Sequence, residues 1–141
     1  MSKIILNQKM LNVQDVQKED RAEYFFKVGY ANFKETNFDV ARNAFVEIKD
    51  DTSQYAAPAM YYYSHIAYQK EKYAVALEGF LKLESHEKFG GFVPYYIAQI
   101  YYLQGKYVEV TKYASLVAGT KGKIDENEMN LLKNYHNQSK C

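Results

Sequence analysis

The stretch Gln69-Lys70-Glu71-Lys72-Tyr73-Ala74-Val75-Ala76-Leu77-Glu78-Gly79-Phe80-Leu81-Lys82-Leu83 decides the fold, because the chain carries it three times in altered form. Upstream stands Lys34-Glu35-Thr36-Asn37-Phe38-Asp39-Val40-Ala41-Arg42-Asn43-Ala44-Phe45-Val46-Glu47-Ile48. Downstream stands Leu103-Gln104-Gly105-Lys106-Tyr107-Val108-Glu109-Val110-Thr111-Lys112-Tyr113-Ala114-Ser115-Leu116-Val117. The aromatic that opens each copy falls at Phe38, Tyr73 and Tyr107, at spacings of 35 and 34 residues. Self-similarity at a period of roughly 34 residues marks helix-turn-helix repeats.

Within the copies, Phe38, Ala41, Phe45 and Ile48 correspond to Tyr73, Ala76, Phe80 and Leu83, and to Tyr107, Val110, Ala114 and Val117. Steps of three, four and three residues place each set on one face of an α-helix. The bulky position shrinks to Ala114 in the third copy. Ahead of each lies a second helical stretch, with Phe25, Val28, Gly29 and Phe33, then Met60, Tyr63, Ser64 and Tyr68, then Ile97, Ala98 and Tyr102 after Pro94. Gly29, Ser64 and Ala98 are equivalent and small, which lets the two helices of one hairpin approach closely.

Local signals set the boundaries. Asp20-Arg21-Ala22-Glu23 before an apolar run has the spacing of a capping box and predicts a helix start near Asp20. Pro58 and Pro94 sit early in their helices, where a missing N–H costs little. His86-Glu87-Lys88-Phe89-Gly90-Gly91-Phe92 reads as a loop between hairpins. Residues 125–138 predict a seventh helix capping the stack, with Met129, Leu132 and His136 on one face and Leu131 and Tyr135 beside it. Residues 3–16 carry Leu6, Met10 and Val13 at helical spacing and predict the second helix of a preceding, truncated unit. Such half-formed ends suit a piece excised from a longer array, because a repeat protein normally ends in a polar capping helix.

In these residues the chain resembles the tetratricopeptide (TPR) repeat family, whose pattern has a small residue midway along the first helix, an aromatic opening the second, and then an alanine and an aromatic on its inner face. The match runs from about Ala22 to Val117. The family's common proline after the second helix is missing, with Ser53 and Lys88 near the equivalent places, and Val110 stands where alanine is usual. The resemblance implies one all-α domain over residues 1–141, a right-handed superhelical stack of antiparallel helix pairs (an α-solenoid). Repeats are expected at 22–52, 57–88 and 92–119, with flanking helices at 3–16 and 125–138. The wording Tyr95-Tyr96-Ile97-Ala98-Gln99-Ile100-Tyr101-Tyr102 and His65-Ile66-Ala67-Tyr68-Gln69 is also similar to long bacterial proteins that carry many such units, often attached to the cell envelope. Envelope association, in a periplasmic part of a longer bacterial protein, is the localisation it suggests.

Composition narrows the function classes. With 48% hydrophobic and 25% charged residues the chain can bury a core. The 18 basic and 17 acidic residues leave a net charge of +1, too little field to steer a polyanion, so nucleic acid is not an expected partner. No run approaches the roughly 18 apolar residues of a membrane span, and the apolar run at the start is too short for a signal peptide, so a soluble chain without direct membrane insertion is expected. The lone Cys141 can form neither an internal disulfide nor a cysteine-based metal site.

No catalytic constellation emerges, and neither an enzyme, a cofactor nor a metal is expected. His65, His86 and His136 lie far apart and fit no metal-ligand spacing. Gly90-Gly91 follows a helix rather than a strand and lacks the Lys-Ser/Thr sequel of a phosphate cradle. Asn137-Gln138-Ser139 fits a glycosylation sequon, but no secretory signal accompanies it.

The informative surface is the one the resemblance implies: in a TPR stack the first helices of successive hairpins line a concave groove. Carried onto this chain, that groove receives Phe26, Tyr30 and Phe33, then Tyr61, His65 and Tyr68, then Tyr95, Gln99 and Tyr102. The chain has 15 Tyr and 8 Phe, and a tyrosine-lined trough suits a peptide or helix of a partner protein, since rigid aromatic rings dominate interface energetics. The alternative is that these rings pack between adjacent repeats. TPR domains that clamp a partner's terminal carboxylate use Lys and Asn where Phe26 and Tyr30 stand here, so that mode is not expected. A scaffold or adaptor is the leading expectation; a structural spacer of a longer array, or a homo-oligomerisation module, is the alternative.

Overall fold

The computed structural model describes residues 13–117 and 121–138, and all regular structure among them is helical. Seven α-helices are described: α1 Val13–Lys34, α2 Phe38–Val46, α3 Ala56–Gln69, α4 Tyr73–Lys82, α5 Val93–Leu103, α6 Tyr107–Val117 and α7 Lys121–Gln138. A short 3-10 turn, Phe89–Gly91, precedes α5. Helices α1 and α2, α3 and α4, and α5 and α6 pack as hairpins, and each hairpin packs on the next through α2 against α3 and α4 against α5.

The period seen in the sequence reappears in the backbone. Thr36, Glu71 and Gly105 adopt φ of 60°, 60° and 76°, one residue at the same place in each hairpin turn. The following amides close the helix end in one way. Asn37 donates to the Asn32 carbonyl at 2.8 Å, Lys72 to Ala67 at 2.9 Å and Lys106 to Tyr101 at 2.8 Å. This is a Schellman-type stop: a left-handed residue turns the chain while its neighbour satisfies a carbonyl left over at the helix end.

Close approach within hairpins has the cause the small residues suggest. A Cβ on Gly29 would stand 2.5 Å from the Phe45 ring, and one on Gly79 would stand 1.9 Å from the Ser64 hydroxyl. Ser64 is fully buried, its hydroxyl donating to the Met60 carbonyl at 2.8 Å. Ala41, Phe45 and Ile48 are buried, as are Ala76, Phe80 and Leu83. In α6 the corresponding Val110 and Val117 are only half-buried and Ala114 is exposed.

Two boundaries differ from expectation. Helix α1 runs unbroken through Asp20 from Val13, so the predicted start at Asp20 and the predicted separate helix ending at residue 16 are replaced by one longer helix. No Pro interrupts Val13 to Lys34 and no Gly precedes Gly29, so nothing breaks the helix near Asp20, and extending an existing helix costs less than nucleating a new one. The added turns are tied to the end of the first hairpin. Lys18 bonds the Thr52 hydroxyl, and Arg21 reaches the Glu47 carboxylate at 2.6 Å and its backbone carbonyl at 3.2 Å. Residues 3–12 of the predicted first helix lie outside the described residues. Helix α7 begins at Lys121 rather than residue 125, and in place of capping the end of the stack it packs on Phe26 of α1 and Tyr96 of α5.

Candidate functional site

Helix α7 lies across the first helices of the hairpins. The Tyr135 ring sits 6.5 Å from Phe26 of α1 and stacks on Phe89 of the 3-10 turn, with centroids 6.1 Å apart. Two turns upstream, Glu128 accepts a 2.8 Å hydrogen bond from the Tyr96 hydroxyl of α5 and lies 3.7 Å from Nε2 of His65 on α3. Leu131 and Leu132 pack against the core between these two anchors. Lys88 approaches the Tyr135 ring to 5.8 Å. Helix α7 therefore touches the first helix of each hairpin, at Phe26, His65 and Tyr96, and so meets Phe26 and His65 among the nine expected groove residues.

Those nine residues sort into three groups. Phe26 and Tyr61 are 1% exposed and belong to the core, which corrects their assignment to an open groove wall. Phe26 packs on Tyr30, Phe45, Tyr55 and Tyr62; Tyr61 packs on Phe80, Phe89 and Tyr96. Large rings here bury more apolar surface by closing the hairpin junctions than by facing water. Tyr30 and Phe33 are half-buried against Tyr62 of the next hairpin, at 5.9 and 4.8 Å.

His65 is enclosed by the rings of Tyr61, Phe80 and Tyr96, with centroids 4.5, 5.2 and 4.6 Å away. Burial pushes its pKa down to about 4, so it is neutral near neutrality. Burial pushes Glu128 up to about 7. The pair therefore does not act as a salt bridge at physiological pH despite its separation; each group is held toward its uncharged form by the apolar surroundings.

The third group is more open. The Tyr68 hydroxyl donates to Gln99 Oε1 at 3.3 Å, and Gln99 Nε2 donates to the Tyr95 hydroxyl at 3.0 Å. This chain joins α3 to α5 and fixes the orientation of the Gln99 amide. Burial, with the neighbouring Tyr73 and Tyr95, raises the Tyr68 pKa, so its hydroxyl keeps its proton. Tyr68, Gln99, Tyr102 and Val110 line a cavity of about 330 Å³. Tyr102 is 61% exposed, its ring tilted at 59° to Tyr107 with centroids 5.7 Å apart.

Sequence reasoning missed Tyr62, Tyr96, Glu128 and the seating of Tyr135. Tyr62 stacks on Phe45 at 5.4 Å and 12°, and Tyr96 stacks on Phe80 at 5.4 Å and 15°. These are one contact repeated, because 62 and 96 stand a repeat apart as 45 and 80 do. That period was the available signal. For Glu128 and Tyr135 the sequence carried none, since α7 is not a copy of any repeat helix.

Among the described residues no cluster of three His, Cys, Asp or Glu side chains is placed to hold a metal ion, and no helix is long and apolar enough to cross a membrane. No protein-family model, curated protein or solved structure matches the chain.

Proposed function

We propose that this chain is a tetratricopeptide-like repeat module that binds a helical or extended segment of a partner protein along the row formed by α1, α3 and α5, and that it is a binding protein rather than an enzyme. The observation that carries this reading is that an amphipathic helix, α7, already lies along that row, held by an aromatic ring at one end and a polar group at the other. Helix-in-groove recognition uses such anchors one or two turns apart. The concave side of a TPR-like stack supplies the groove, and the repeated turn geometry and 35- and 34-residue spacing support that architecture. The perturbed His65 and Glu128 pair is enclosed by rings, which suits gripping a helix better than turning over a substrate.

A second reading, a spacer or self-association module, is favoured by a different observation. Tyr102, Leu103, Tyr107, Val108 and Leu116 leave the α5 and α6 end of the stack apolar and exposed. A further repeat or a second copy would cover it.

The test is selection of helical peptides from a displayed library on the intact chain, followed by Tyr68→Ala and Gln99→Ala. The binding reading requires selected peptides whose affinity falls about tenfold or more with these changes. Binders indifferent to both, together with concentration-dependent mass in light scattering that Val108→Asp abolishes, would replace it with the spacer reading.

A further inference from the structure

The way α7 is held identifies the kind of segment the groove takes. Glu128, Leu131, Leu132 and Tyr135 occupy positions i, i+3, i+4 and i+7, a single stripe two turns long on one helix face. Each element of the stripe meets its own receiver. Glu128 meets the Tyr96 hydroxyl and His65, the leucine pair meets the core, and Tyr135 meets Phe26 and Phe89. The opposite side is hydrophilic: Glu126, Asn130, Lys133, Asn134 and Asn137 are all exposed.

The grip is also a weak one in a definable way. The acid at its upstream anchor is buried among rings, where a carboxylate is disfavoured, and its nearest base is a histidine that burial keeps neutral. A helix offering the same leucines and aromatic ring with an uncharged hydrogen-bonding group at the upstream position avoids that cost.

Resting on the binding reading above, we propose that α7 is an exchangeable occupant of the groove, and that the partner is an amphipathic helix with a polar acceptor, two leucines and an aromatic ring at i, i+3, i+4 and i+7. The partner displaces α7 by presenting the same stripe. Glutamine in place of the acid is the better ligand, because Tyr96 can donate to its amide oxygen and no charge is buried. While α7 is seated, the fraction of groove open to a partner is small and apparent affinity falls by that fraction.

The experiment uses the full chain and a fluorescein-labelled synthetic peptide with the sequence of residues 121–138, read by fluorescence anisotropy. The peptide is expected to bind the Tyr135→Ala chain about tenfold or more tightly than the unaltered chain, because the competing helix has lost an anchor. A peptide with glutamine at the Glu128 position should bind more tightly still at pH 8. A peptide with alanine at the Tyr135 position, or with the same composition in scrambled order, should bind neither chain. Should Tyr135→Ala unfold the protein, hydrogen exchange on the unaltered chain gives the answer: excess peptide should strip protection from α7 while leaving α3 and α4 protected. Equal binding to both chains, binding by the scrambled peptide, or α7 protection unchanged under saturating peptide would overturn the proposal. Those results leave the binding module standing if library-selected helices still depend on Tyr68 and Gln99, whereas failure to select any such helix removes both.

Discussion

His65 and Glu128 sit 3.7 Å apart with pKa values displaced toward and past each other, the histidine down to about 4 and the acid up to about 7. Both shifts come from burial, His65 among the rings of α3, α4 and α5 and Glu128 beside Tyr96 where α7 is seated. Each group alone would make stability depend on pH, and in opposite senses.

Glu128 has an ordinary value of 4.5 raised on seating, so its contribution is fully present below 4.5 and is lost as pH rises through 7. His65 has an ordinary value of 6.5 lowered in the fold, so its contribution is fully present above 6.5 and is lost as pH falls through 4. Between 4.5 and 6.5 the two slopes cancel, and these two groups should leave the stability of the unaltered chain almost level across that window. His65→Gln should leave the acid uncompensated, so the chain loses stability as pH rises from 5 toward about 7; Glu128→Gln should do the reverse, losing stability as pH falls from about 6.5 toward 4. Urea unfolding of both variants across this pH range, each compared with the unaltered chain, measures both. Parallel slopes in the two variants would contradict the assignment of the shifts to this pair.

Tyr61 offers a cleaner stability test. Its ring is buried among Phe80, Phe89 and Tyr96, while its hydroxyl is buried with no hydrogen-bond partner among the described residues. Removing an unsatisfied buried hydroxyl while keeping the ring should help, so Tyr61→Phe is expected to stabilise the chain by about 1 kcal/mol in urea unfolding. Tyr61→Ala should destabilise it by about 3 kcal/mol or more, since the ring closes a hairpin junction. A destabilising Tyr61→Phe would mean that the hydroxyl has a bonded water.

The repeated left-handed turn residue makes a second stability prediction. Glu71 holds φ of 60° with a side chain that disfavours it, whereas Gly105 holds φ of 76° at no steric cost. Glu71→Gly is therefore expected to stabilise by about 1 kcal/mol, and Gly105→Ala to destabilise by a similar amount. Thermal unfolding of both variants should move in opposite directions. A shift of the same sign in both would place the control of these turns in side-chain contacts instead of backbone conformation.

The sequence exposed the hairpins because a 34-residue recurrence of Phe38, Tyr73 and Tyr107 is a property of nearby residues, and the left-handed turns and the Phe45–Tyr62 and Phe80–Tyr96 stacks obey the same period. The length of α1 was hidden behind a plausible cap at Asp20, since a cap motif costs nothing when a helix simply runs through it. Phe26 and Tyr61, expected on an open groove wall, are buried instead. An aromatic row on the first helix serves hairpin packing and ligand contact alike, and only the neighbouring Tyr62, Phe89 and Tyr96 decide which. The seat of α7 was illegible because it depends on contacts between Tyr135 and Phe26, more than a hundred residues apart, that no periodicity links.

The pairing of Ser64 with Gly79 tests whether small residues set the spacing of the second hairpin. A methyl group at Gly79 would overlap the Ser64 hydroxyl at 1.9 Å, and would also press on Ser64 Cβ at 3.2 Å and the Met60 sulfur at 3.3 Å. Gly79→Ala gains helix propensity worth roughly 1 kcal/mol, but the overlap with a fully buried side chain forces the helices apart, and the net change should be destabilising by about 1–3 kcal/mol. Ser64→Ala removes the overlapping oxygen and leaves the Met60 carbonyl its helical partner, so by itself it should change stability little. Combining the two changes should recover much of the loss, because the remaining contacts are a methyl against a Cβ and a flexible thioether. The coupling energy in a double-mutant cycle is then expected to be favourable by about 1 kcal/mol or more, read from urea unfolding of the four chains. Additive losses would instead mean that the packing of α3 on α4 is set by Tyr61, Phe80 and their neighbours, with the small residues merely accommodated.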